Sequence, residues 1–273
     1  MSLQNTNITS KKYRKLSLQV SLKGFSYCCF DTLNNTIVSF NEIHFDSNQK
    51  PNKIEEAFEE AFKSHPVLKD AYDEIIVIHS NNLSTFVPVP LFDENYLGSY
   101  LQYNTKVFET DFFTYDQISN YQINTVYIPY ININNFLIDT VGSFDYKHAN
   151  SILIEKILDA SKNNDDKKMI VNFNADHFEI IVVQNQKLLL FNSFEYQTPE
   201  DFIYYLLFTA EQLSLNPEIF PLELLGTIDI SDAFYQIAFK YIRNISFFDV
   251  TTLQEKNNFS TAQNLKHFIL FQS

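Results

Sequence analysis

Apolar and polar residues alternate through three runs near the start of the chain, at about 16–22, 25–31 and 36–45. The same alternation returns at 168–173, 177–183 and 187–196. A period of two predicts strands with one buried face, and the short polar breaks between them predict antiparallel hairpins. Asn34-Asn35 and Asn185-Gln186 suit such turns because Asn tolerates positive φ. After each trio the period lengthens to that of a helix, first in Ile54, Ala57, Phe58, Ala61 and Phe62, then in Phe202, Tyr205, Leu206 and Leu213. Thr198-Pro199-Glu200-Asp201 is a helix start: a Thr N-cap, Pro at the first helical position and acids facing the positive helix end. A strand follows each helix, "EIIVIH" at 74–79 and "PLELLG" at 221–226. The second series continues with a helix from Ser231, its expected N-cap, to about Tyr241 and a strand from Asn244 to Phe248.

The intervening segment from about 79 to 165 is less regular. "STFVPVPLF" carries two prolines in alternation, which restricts it to an edge or loop strand. A helix is expected from Glu94 to Tyr103, a strand over Thr125–Ile128 and a helix from Asn150 to Ser161. "KNNDDKK" at 162–168 is a polar linker. The organisation read from this is a polar leader (1–15), a first half with elaborations (16–165) and a second half (166–273).

The two series match one another as an internal duplication. At an offset of 151, Leu18, Val20 and Leu22 fall on Met169, Val171 and Phe173, Tyr27 on Phe178, and Phe40-Asn41 on Phe191-Asn192. At 148, Pro51 falls on Pro199, Ile54 on Phe202 and Ile76-Val77 on Leu224-Leu225. Each copy is an antiparallel meander followed by a β-α-β crossover, which gives a mixed sheet covered by helices. The fold class is therefore α/β, two tandem βββαβαβ halves with mixed five-stranded sheets.

Composition narrows the chemistry. The 33 acidic against 20 basic residues give a formal charge of -13, which argues against a nucleic-acid or anionic-membrane surface, since phosphate binding needs clustered Lys and Arg. The one basic cluster, Lys11-Lys12-Tyr13-Arg14-Lys15, lies in the leader and reads as a solvated arm. Neither a signal-peptide pattern nor a membrane-length apolar run is present, so a cytoplasmic protein without membrane insertion is expected. Only 4 glycines accompany 27 Phe and 16 Tyr, and no two glycines are close, so Walker-type and dinucleotide fingerprints are absent.

The βββαβαβ order is that of a ribonuclease H-like unit, and two in tandem resemble the actin, Hsp70 and sugar-kinase superfamily. The plan and the string "LLLFNSFEYQTPEDFIYYLLF" (188–208) resemble a family of uncharacterised bacterial proteins typical of Bacteroidetes with a degenerate actin-like ATPase fold. The resemblance implies a fold and no agreed activity. It also implies where nucleotide chemistry would sit: Asp- and Gly-rich turns between the first two strands of each half, and a Gly-rich turn after the later strand of the second half. The first turn holds Lys23 and Gly24 but no Asp. The second, "NFNADHFEI", holds Asn174, Asp176 and His177, with Ala175 aligned on Gly24. The third keeps Gly226 and Thr227, followed by Ser231.

Other groups offer less. Asp176 and His177, as neighbours on a strand, are expected on opposite faces. His44 with Asp46 lacks a third metal ligand. His148 precedes a helix as a surface or capping residue, and Cys28-Cys29 are expected as buried strand thiols. The strands "LSLQVSL" and "MIVNF" lack the acids of a two-metal nuclease. Tyr204 falls off the Phe202–Leu206 stripe and is expected at the surface. The sequence thus predicts a catalytically inactive actin-like protein without a cofactor, working through an unknown protein partner or self-association. The alternative binds a nucleotide with Mg in the inter-lobe cleft, with Asn174, Asp176 and His177 facing Gly226, Thr227 and Ser231.

Overall fold

The computed structural model describes residues 11–45 and 54–273. Residues 1–10 of the leader, Asp46 and Pro51 lie outside the described residues. The first trio of alternating runs forms β1 (Arg14–Ser21), β2 (Gly24–Asp31) and β3 (Thr36–His44), antiparallel throughout. Asn35 takes φ 53° in the second connection, as its short polar side chain allows. Next come α1 (Ile54–Ser64), which buries Phe58, Ala61 and Phe62, and β4 (Glu74–His79), parallel to β1. Phe25 stacks on Phe58 with ring centroids 4.9 Å apart, so the sheet-to-helix contact is largely aromatic.

The chain then runs through β5 (Ser84–Pro88), α2 (Leu97–Leu101), β6 (Thr114–Ile118) and β7 (Ile123–Tyr127). It returns with α3 (Ile131–Val141) and β8 (Asp145–His148). The resulting sheet has the order β3-β2-β1-β4-β8. The described residues up to His79 and Tyr130–Lys147 form one compact unit, and Ser80–Pro129 with His148–Ser273 form the other.

In the second unit α4 (Ala149–Ala160) leads into β9 (Lys168–Phe173), β10 (His177–Gln184) and β11 (Lys187–Glu195). Asn185 and Gln186 both take positive φ at the β10–β11 turn. α5 (Pro199–Gln212) starts with the expected Thr198 cap, and Asp201 completes a capping box. β12 (Pro221–Gly226), α6 (Ala233–Tyr241) and β13 (Asn244–Phe247) close a sheet of order β11-β10-β9-β12-β13. The short helices α7 (Thr251–Gln254), α8 (Thr261–Lys266) and α9 (Phe268–Phe271) end the chain. Phe173, Phe178, Phe202 and Leu206 centre the core between this sheet and α5. The third sheet, β5-β7-β6, carries the proline-bearing segment as its edge strand, and Phe86 on it meets Phe191 on β11 edge-on at 4.7 Å.

Both halves therefore have the 3-2-1-4-5 strand order of the βββαβαβ unit, but the strand register corrects the alignment. Leu18 pairs with Tyr27 and Val77, whereas Val171 pairs with Ile180 and Leu224. Leu18 is thus equivalent to Val171, Tyr27 to Ile180 and Val77 to Leu224. The first two strands of the second half are shifted two residues from the sequence alignment, because alternating apolar strands match equally well at either even offset. Val77 falls on Leu224 and not on Leu225, a one-residue slip that the non-alternating apolar runs "EIIVIH" and "PLELLG" permit. Asn41 pairs with Tyr27 and Asn192 with Ile180, so the Phe-Asn match itself stands.

That repeated step has a physical role. β3 and β11 are edge strands. The Asn41 side-chain oxygen accepts the N–H of Glu42 at 2.9 Å, and Asn192 accepts that of Ser193 at 3.0 Å. Each Asn covers a main-chain donor on the open rim of its sheet, where it would otherwise template pairing with another chain.

Six elements in the described residues had no counterpart in the sequence pattern: α3, β6, β8 and the three helices after 250, α7, α8 and α9. α3 reads "ININNFLIDTV", with β-branched and Asn residues of low helix propensity, so packing against α1 determines it. β8 is four residues of mixed polarity, too short to show a period.

Candidate functional site

β9 and β12 run parallel, so the β9–β10 turn and the loop after β12 leave the same end of the sheet, where open α/β sheets hold ligands. Asn174 opens the turn, its N–H donating to the carbonyl of His177 at 2.9 Å. Asp176 lies in the turn and not on the strand, so the opposite-face expectation fails for this pair. Its carboxylate meets His177 Nδ1 at 2.7 Å. His177 Nε2 lies 3.1 Å from Glu179 Oε1, on the same face two residues along. Glu179 Oε2 accepts from Asn172 Nδ2 at 3.0 Å and Asn174 Nδ2 at 2.7 Å.

The cluster is closed on itself. Both His177 nitrogens face carboxylates and both Glu179 oxygens are occupied. Burial works to lower the imidazole pKa, but the hydrogen bond and charge of Glu179, then those of Asp176, raise it to about 9. His177 is therefore an imidazolium at neutral pH, neutralising a glutamate that is only 3% exposed. The residues that sequence reasoning missed are Glu179 and Asn172, which face each other across β9 and β10. The available signal was a lone acid two places after a His inside the apolar run "HFEIIVVQ".

The loop after β12 joins the same sheet end. Gly226 takes φ +87°, and a Cβ there would lie 2.2 Å from the Phe173 carbonyl oxygen. Thr227 N–H donates to that carbonyl at 2.8 Å. Strand-end packing thus accounts for this glycine. Ser231 does not cap α6, whose N-cap is Asp232. Ser231 instead donates through N–H and Oγ to Asp229, at 2.9 and 2.7 Å. Tyr196 donates to the Asn174 carbonyl at 3.1 Å; burial, then the charges of Asp176 and Asp232, push its pKa up. The segments 172–179 and 226–232 hold four acids and no Lys or Arg.

In the first unit, Lys23 and Gly24 lie on the β1–β2 hairpin. A Cβ on Gly24 would lie 2.1 Å from the Ile43 carbonyl oxygen, so close approach of β3 requires the glycine. Ser21 Oγ donates to the Gly24 carbonyl and accepts the Lys23 N–H, at 2.9 and 3.2 Å, which fastens a two-residue turn. By strand register the equivalent of Gly24 is His177, not Ala175: Gly24 pairs with His44 and His177 with Glu195.

Cys28 and Cys29 are buried free thiols, and burial pushes the Cys28 pKa well up, away from nucleophilic reactivity. His44 meets Glu42 at 3.4 Å. His148 is fully buried and not at the surface; it caps α4 by accepting the Asn150 N–H at 3.1 Å. Among the described residues no group of three His, Cys, Asp or Glu is placed to hold a metal ion. Nor is any helix among them long and apolar enough to cross a membrane.

A second feature lies between β11 and α5. Leu190, Phe194, Tyr204, Tyr205 and Phe208 line a groove of about 170 Å³. Phe194 stacks on Tyr205 at 4.4 Å, and Tyr204 lies parallel to Phe208 at 6.1 Å. Tyr204 is 62% exposed, as its place off the core stripe predicts, and Phe208 47%.

Comparison with known proteins places the fold. A Bacteroides thetaiotaomicron protein with actin-like ATPase fold and unknown function superposes with a TM-score of 0.82 at 23% identity, covering 98% of each chain. A chain of the PilM–PilN type IV pilus biogenesis complex superposes with a TM-score of 0.58 at 11% identity, covering 94% of this chain and 95% of that one. No curated protein matches the sequence. The fold is thus that of the actin-like ATPases. A family model described as "Protein of unknown function (DUF3822)" matches residues 3–245, and the chain belongs to that family.

Proposed function

We propose that this protein is a catalytically inactive actin-like protein that works in the cytoplasm by binding another protein. The observation that carries the first part is the closed Asp176–His177–Glu179 cluster. An ATPase of this fold needs free backbone N–H groups and acids available to metal-bound water at such a turn. Here the imidazolium is held between two carboxylates, and Glu179 is saturated by His177, Asn172 and Asn174. The two glycines that a phosphate reading would use, Gly24 and Gly226, are required by neighbouring strands. The acids Asp176, Glu179, Asp229 and Asp232, with no Lys or Arg in the same segments, disfavour a polyphosphate. The exposed aromatic groove beside α5 supports the second part, as does the occurrence of the fold in the PilM–PilN complex.

Thermal unfolding in the presence of Mg-ATP, Mg-ADP and AMP tests the reading. A ligand at 100 times its Kd stabilises the native state by about 2.7 kcal/mol, a readily measured rise in Tm. The expected result is no saturable rise with any of the three. A saturable rise would overturn the inactive assignment and install nucleotide binding in its place.

A further inference from the structure

We propose that the groove between β11 and α5 receives the apolar face of an amphipathic helix, with basic flanks, from a partner protein. This rests on the protein-binding reading above and specifies the partner's chemistry. The groove is lined mostly by side chains of the segment 188–208. α5 buries Phe202, Ile203 and Leu206 in the core, so Tyr204 and Phe208 are aromatic surface beyond what the core uses. They stand four residues apart as a stacked ridge, and Phe194 on Tyr205 forms the groove beside it. Such a ridge and groove accept anchors spaced at i, i+3, i+4 and i+7 on a facing helix.

An added strand fits less well. The Ser193 N–H on the open edge of β11 is occupied by the Asn192 side chain, so side chains must supply the contact. Charge selects the partner. From Lys187 to Gln212, the two elements and their connection carry four acids (Glu195, Glu200, Asp201 and Glu211) against Lys187 alone. A second copy would oppose acids to acids, each chain carrying -13, whereas basic flanks complement the net acidity of these two elements and speed encounter.

The test uses fluorescence anisotropy of labelled amphipathic peptides of about 18 residues. They carry Leu and Phe at i, i+3, i+4 and i+7, with Lys flanks, Glu flanks or a scrambled order. The Lys-flanked peptide is expected to bind saturably, at least about tenfold tighter than the other two. Its affinity is expected to fall between about 50 and about 300 mM salt. Tyr204→Ser with Phe208→Ser should weaken it about tenfold at an unchanged Tm, while Tyr103→Ser, another exposed aromatic, should not. Absence of saturable binding, equal binding of the three peptides, or indifference to the Tyr204/Phe208 pair would each overturn the proposal. So would light scattering showing a wild-type dimer that the same pair dissociates. A natural partner still retained by the double variant would sink this site while leaving the protein-binding reading standing.

Discussion

His177 keeps a proton that burial alone would remove, because Glu179 and Asp176 hold its pKa at about 9. The unfolded value is about 6.5, so protonation stabilises the fold fully below about pH 6.5 and the contribution fades as pH rises through 9. His177→Ala should cost on the order of 2–3 kcal/mol at pH 6. The gap between wild type and variant should narrow towards pH 10 in urea melts; a gap constant with pH would contradict the assignment. At this scale the sequence displayed the Asp-His pair but misplaced it, because a residue in a turn escapes the alternation that governs a strand. Glu179 was legible in principle, since an acid in an apolar strand must find a buried partner.

At the scale of elements, the strands and the α5 cap were readable because period and capping chemistry are local. The register was not, since an alternating strand fits its copy at more than one even offset, and only pairing across the sheet decides. Gly226 shows what tertiary contact adds: its φ of +87° and the Phe173 carbonyl 2.2 Å from a built Cβ leave no room for a side chain. Gly226→Ala should therefore destabilise by about 3 kcal/mol or more, lowering Tm by several degrees; a loss under about 1 kcal/mol would show that the strands can part cheaply. The Asn41 and Asn192 side chains guard sheet edges. The double change Asn41→Ala with Asn192→Ala should promote concentration-dependent association in light scattering, while costing only about 1 kcal/mol per lost hydrogen bond. A variant that stays as monodisperse as wild type would refute the guarding role.

For the whole molecule, the tandem five-stranded plan was visible in the sequence, and the actin-like neighbours share it at low identity. The residues from 80 to 129 were less legible, because short strands and weak helices there are fixed by packing within the second unit. The sequence pointed to the β9–β10 turn as the candidate site, but the side-chain contacts within that turn could not be read from it. Closure of that turn depends on a cross-strand pair, Asn172 with Glu179, that is separated by the turn itself. The central claim is that the protein's own side chains occupy this turn and leave nothing for phosphate. The most direct measurement is the imidazole NMR titration of His177 in the intact protein, without and with millimolar Mg-ATP. The account predicts a pKa near 9 and resonances that Mg-ATP does not move. Titration near the ordinary 6.5, or a saturable shift of the His177 signals by Mg-ATP, would contradict it.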